Sequence, residues 1–178
     1  MGVRPVAGTV ATWAVAGYAG TKAMEPVSML LYRHEPAQAR AAEDAARPGP
    51  PYRVAGEKVT SALGLDLTDD VLDKVALGFH YGLAVSWAPL YGVLRRQVGL
   101  AAPLAALLTG LAMSVVADEL MTPLLSFSAP NRAYPFVTHL RGVAAHLVFG
   151  TSVGAVSEAI WAITGRPRPA TDMAVSAR

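Results

Sequence analysis

The stretch GLAAPLAALLTGLAMSVVADELMTPLL, residues 99–125, is apolar almost throughout and carries charge only at Asp118 and Glu119. It exceeds the roughly 20 residues needed to cross the hydrocarbon core of a bilayer. Lipid admits only helices and closed barrels, and the stretch lacks the alternation of a barrel strand. It therefore predicts a membrane-spanning helix. Three more blocks of the same character lie at about residues 6–32, 70–95 and 139–164. Together they predict an all-α fold: one integral membrane domain over 1–178, a four-helix bundle of up-down topology. A single long polar loop, 33–69, separates helices one and two.

Composition agrees. Hydrophobic residues make up 53% and charged residues 16%, against roughly 25% charged in an average soluble domain. Mean hydropathy is +0.36, so the first partner implied is the lipid bilayer. The net charge of +2 comes with no basic patch interleaved with aromatics, which argues against a nucleic-acid partner. Cysteine is absent, excluding disulfides, thiolate metal sites and thiol catalysis. The first block is too long for the apolar core of a signal peptide and reads as an uncleaved anchor.

The connections differ in kind. Arg95-Arg96-Gln97-Val98 reads as a tight turn, and 126–138 as a short loop with Pro130 and Pro135. In the long loop, 35–47 is Ala-rich and predicts a short surface helix, broken by Pro48-Gly49-Pro50-Pro51. Thr68 before Asp69 and Asp70 reads as an N-cap followed by acids at the positive helix end. Arg4, Arg95, Arg96, Arg166, Arg168 and Arg178 crowd short segments on one side, which by basic-residue density places both termini in the cytoplasm. The small pairs Gly78/Gly82, Gly110/Ser114 and Gly150/Gly154 have the spacing that lets helices approach closely, although an Ala- and Gly-rich chain produces such pairs by chance. Trp13, Trp87, Trp161, Tyr32 and Tyr91 read as interface anchors.

Charge inside hydrocarbon is costly and calls for a partner or a water-filled cavity. The blocks hold Lys22 and Glu25, His80, Asp118 and Glu119, then His146 and Glu158, with His139 at the start of the last. Glu25 lies seven residues before Tyr32, His80 six after Lys74, Glu119 six before Leu125, and His146 seven after His139. With up-down topology each sits roughly 10 Å in from the same face. Pro26 and Pro123 remove the helical donors of the Lys22 and Glu119 carbonyls, leaving spare acceptors near this layer. Asp118 shares a face with Gly110 and Ser114, and Glu119 points about 100° away, so which acid faces inward stays open. Lys22 and Glu25, three apart, can neutralise each other, and Glu158 can snorkel or pair with Arg166.

Four readings compete for this layer of Lys22, Glu25, His80, Asp118, Glu119, His139 and His146. It braces the bundle as a hydrogen-bonded network, or it carries protons or cations. It could also form a divalent metal site from His80, His146, Glu119 and Glu25, though the Glu-x-x-His spacing of di-iron bundles is absent. Haem held by His80 and His146 is disfavoured by acids at the same depth. No cofactor is firmly implied. Loop 33–69 could instead serve a protein partner, and the chain could form a homo-oligomer. No ATP-binding loop and no nucleophile with its base stand out, and Ser126-Phe127-Ser128 has no glycine elbow, so an enzyme is the less favoured class.

These residues also carry a resemblance. Phe79-His80-Tyr81-Gly82 with Tyr91-Gly92, then Asp118-Glu119-Leu120-Met121-Thr122-Pro123, resemble helices two and three of the YagU-like inner-membrane proteins, a bacterial family of unknown function. Pro135-Phe136-Val137-Thr138-His139 and Ala145-His146-Leu147-Val148-Phe149-Gly150 resemble the start of that family's fourth helix. The likeness covers about residues 75–160, and Pro50-Pro51 matches a proline pair in the family's loop. It implies a multi-pass protein of the bacterial inner membrane, singles out His80, Asp118, Glu119, His139 and His146, and brings no activity.

Overall fold

The computed structural model describes residues 3–165. Within them the chain is helical, with no strand. Helix α1 spans Val3–His34 and runs through Pro26. The expected loop contains two helices, α2 (Ala37–Ala46) and α3 (Pro51–Ala62), separated by the Pro-Gly-Pro break, with Pro51 at the first turn of α3 where its missing N–H is harmless. Gly64, at φ 70°, ends α3 in the left-handed conformation that glycine adopts without strain. Helix α4 spans Asp69–Gly92 and continues as a π-helical turn, Val93–Gln97. Helix α5 begins at Ala102–Met113, widens into a π-helix over Ser114–Met121 and closes with one α turn, Thr122–Leu124. After a 3-10 turn at Asn131–Ala133, α6 spans Phe136–Ile163.

Two boundaries and one cap depart from the sequence reading. The α4–α5 turn falls after Gln97 at Gly99 (φ 80°), so Arg95 and Arg96 belong to the helix end. Helix α6 starts at Phe136, one turn before His139, because Pro135 sits at its N-cap. Thr68 holds the N-cap position of α4 but makes no side-chain cap bond. Its neighbour Asp69 instead joins Asp73 and Glu57 around Arg53, clasping α3 to α4. Those acids, Glu57 foremost, hold the Arg53 guanidinium protonated above its usual range.

Helix α6 packs chiefly on α1 and α5, α1 also on α4, and α3 lies along α4, whereas α4 meets α5 and α6 less extensively. The seams are made of small residues. A Cβ on Gly110 would collide with the His146 carbonyl, and one on Gly150 with the Ala106 carbonyl. Gly78 and Gly82 are different: nothing lies within 4 Å of a Cβ at either, so this pair joins no helices within the chain. The buried core is largely alanine (Ala16, Ala84, Ala88, Ala105, Ala106) around Phe149, Val153, Tyr91 and Trp161. Large apolar side chains point outward, among them Val10, Val15, Leu77, Phe79, Leu107, Leu111, Val116, Leu120 and Leu140. Tyr91 and Trp161 are thus core residues stacked at 5.9 Å and not interface anchors. By length and composition α5 (Ala102–Leu124) and α6 (Phe136–Ile163) are apolar enough to cross a membrane; α1 and α4 are as long but less apolar.

Candidate functional site

Where α4 stands off α5, a half-open cavity of about 400 Å³ lies between the helices. His80 of α4, Asp118 and Glu119 of α5, and His139 and His146 of α6 all line it, with Met24 of α1 and Tyr52 of α3. Five members of the expected layer therefore share one space. Lys22 and Glu25 adjoin it: Lys22 Nζ donates to Glu25 at 2.5 Å, and Glu25 reaches His80 Nε2 at 3.4 Å, tying α1 to α4. The His80 ring also packs against Tyr52, with centroids 4.8 Å apart.

The tightest part is a ring built on Glu119. Pro123 frees the Glu119 carbonyl, and Asn131 Nδ2 donates to it at 2.8 Å. The Asn131 carbonyl lies 3.2 Å from His139 Nε2, and His139 Nδ1 lies 2.7 Å from Glu119 Oε1. A carbonyl only accepts, so Nε2 carries a hydrogen. The short Nδ1 contact then needs one more proton: either imidazolium faces carboxylate, or neutral imidazole faces a carboxylic acid. Both descriptions place a shared proton between Glu119 and His139.

Asp118 makes the looser pair. Its Oδ2 lies 3.3 Å from His146 Nδ1, which donates more closely to the Gly142 carbonyl, at 2.9 Å. The sequence left open which acid turns inward; in fact both do. They lie in the π-helical stretch, whose i→i+5 pattern puts more residues in each turn and narrows the angle between neighbours. On α6 their partners His139 and His146 are seven residues apart, two turns on one face, so adjacent acids reach down and up the same helix.

The structure does not assemble the metal quartet His80, His146, Glu119 and Glu25. Each acid is taken by a different partner, and among the described residues no three His, Asp or Glu side chains converge on a common point. Arg166, offered as partner to Glu158, lies outside the described residues. Glu158 instead accepts from Tyr91 Oη and from Arg95 Nε, each at 2.8 Å, toward the other end of the bundle. Arg95 is 1% exposed, so it no longer counts as a surface charge in the orientation argument.

A second charged cluster was not foreseen. Arg141 of α6 donates to Glu35 at 2.6 Å and to both oxygens of Glu43 at 2.6 and 2.7 Å. Glu43 also takes Arg47 and, at 2.9 Å, Thr138 Oγ1. Most of α2 is exposed, as expected of a surface helix, but its one buried side chain, Glu43, staples it to α6. The signal was available: Arg141 is a charge within the 139–164 block and demanded a partner as much as His146 did. Arg47, Tyr52 and Arg141 line the cavity, so the loop helices form part of its wall.

No protein-family model, curated protein or solved structure matches the chain. The geometry therefore carries the functional reading.

Proposed function

We propose that the chain is a four-span protein of the bacterial inner membrane, YagU-like in its helices, that handles protons in its cavity. Its inside-out composition supports the membrane reading for all four long helices. In water the large apolar side chains would be buried; here alanine and glycine fill the seams while leucine, valine and phenylalanine face out, including Val10 and Val15 on α1 and Leu77 and Phe79 on α4. Helices α1 and α4 owe part of their lower apolarity to Lys22, Glu25 and His80, which pair with one another beside the cavity, Lys22 staying exposed. Basic-residue density favours cytoplasmic termini, which sets the cavity and its cover of α2 and α3 toward the outer face.

The observation that carries the proton reading is the 2.7 Å Glu119–His139 contact, which holds a shared proton at the wall of a cavity. Two further imidazole–carboxylate contacts, Asp118–His146 and Glu25–His80, surround the same space. Intramembrane groups of this kind mark proton routes. Beyond them the Gly110–Gly150 seam closes the bundle, so flux is that of a gated route and not an open pore. Purified protein in liposomes carrying a pH-sensitive dye is expected to pass protons slowly under an imposed potential, and Glu119→Gln to abolish the signal with the fold intact. Flux no higher than in empty liposomes refutes the reading. A purely bracing network remains the rival, because the same pairs tie α1 to α4 and α5 to α6; it predicts lower thermal stability for His146→Ala and no flux in any variant.

A further inference from the structure

We infer that the cavity binds a small organic monocation, an amine or quaternary ammonium with an apolar body, seated against Asp118. The inference rests on the proton-handling reading of the same cavity: the cation takes the place a proton otherwise holds. Charge accounting leads there first. Arg47 and Arg141 are offset by Glu35 and Glu43. Lys22 offsets Glu25 beside His80, and the shared proton offsets Glu119 with His139.

Asp118 is left. Its only partner among the described residues is His146, at 3.3 Å, and that Nδ1 hydrogen is already held by the Gly142 carbonyl. The His146 side chain is 7% exposed and the Asp118 side chain 41%, so the carboxylate is the member of the pair that meets the cavity. A carboxylate facing a largely apolar cavity is neutralised by a proton or by a positive partner, and an organic cation can take the proton's place.

The rest of the cavity describes what that partner looks like. Tyr52, Phe127 and Tyr134 contribute aromatic rings, which attract a cation through their faces and shelter an apolar body. Met24 and Met113 add adaptable apolar wall. The volume of about 400 Å³ lies within the range of small-molecule sites. A bare metal ion is a poor fit, because among the described residues no third carboxylate or imidazole completes a coordination shell.

The test is equilibrium binding of radiolabelled benzyltrimethylammonium to the full chain in lipid nanodiscs. Saturable binding is expected, weakened about tenfold or more by Asp118→Asn and restored by Asp118→Glu. Neopentylbenzene, the same shape with carbon in place of nitrogen, is expected not to displace the label. Should Asp118→Asn fail to fold, this neutral competitor decides on wild-type protein alone. No saturable binding, undiminished binding to folded Asp118→Asn, or equal displacement by neopentylbenzene each overturns the inference. Proton flux measured on the same preparation separates the two readings. Flux without cation binding removes only the inference, whereas absence of both removes the proton reading as well.

Discussion

Arg141 sits 8% exposed between Glu35 and Glu43, and the three stand or fall together. Replacing it by methionine leaves two buried carboxylates facing each other, and breaking such a cluster costs about 3–5 kcal/mol. Arg141→Met is expected to lower the thermal unfolding midpoint sharply; an unchanged midpoint would mean that the cluster is solvated. At Glu119 the expected outcome is spectroscopic. Nitrogen NMR of His139 should report a protonated or proton-sharing Nδ1 in the wild type. In Glu119→Gln the same nitrogen should be unprotonated, because the Asn131 carbonyl keeps the hydrogen on Nε2. Identical spectra would remove the shared proton. Part of this was legible residue by residue: the depth argument grouped Glu25, His80, Glu119 and His146, of which all but Glu25 line the cavity, and Pro123 announced the free carbonyl that Asn131 fills. Pairing was not legible, since which imidazole meets which acid depends on helix rotation.

At the scale of the element, small-residue spacing named six candidate positions and could not tell contact from chance. Gly110 and Gly150 lie backbone to backbone in the α5–α6 seam, whereas Gly78 and Gly82 face outward beside Val75 and Leu83. Gly110→Ala forces its Cβ into the His146 carbonyl and is expected to cost about 1–3 kcal/mol of stability. Gly82→Ala meets nothing and should shift stability by less than about 0.5 kcal/mol. Equal effects in a denaturant titration would contradict the seam. The π-helical stretch of α5 escaped the sequence for a different reason. Nothing in SVVADELM marks a register insertion; it follows from the demand that adjacent acids both reach α6. Helices α2 and α3 were half visible, through their alanine content and the Pro48–Pro51 break, but the burial of Glu43 depends on a partner 98 residues away.

For the whole molecule, four apolar blocks foretold four long helices, and the outward-facing leucines and valines are what the proposed membrane setting calls for. Its topology can be tested directly because the chain has no cysteine. Leu65→Cys, after α3, and Gln97→Cys, after α4, should react with a membrane-impermeant maleimide from opposite sides of the membrane. Labelling of both from one side would deny that α4 crosses. Finally, the most extensive helix pairing joins α1 to α6, the first long helix synthesised to the last. A ribosome making this chain delivers α1 long before its main neighbour exists, and the Arg141 staple cannot close until α6 emerges. In the proposed membrane setting the nascent protein would need shelter at the insertion machinery until translation is almost complete, and a chain truncated before α6 would expose Glu43 as a mark of unfinished assembly.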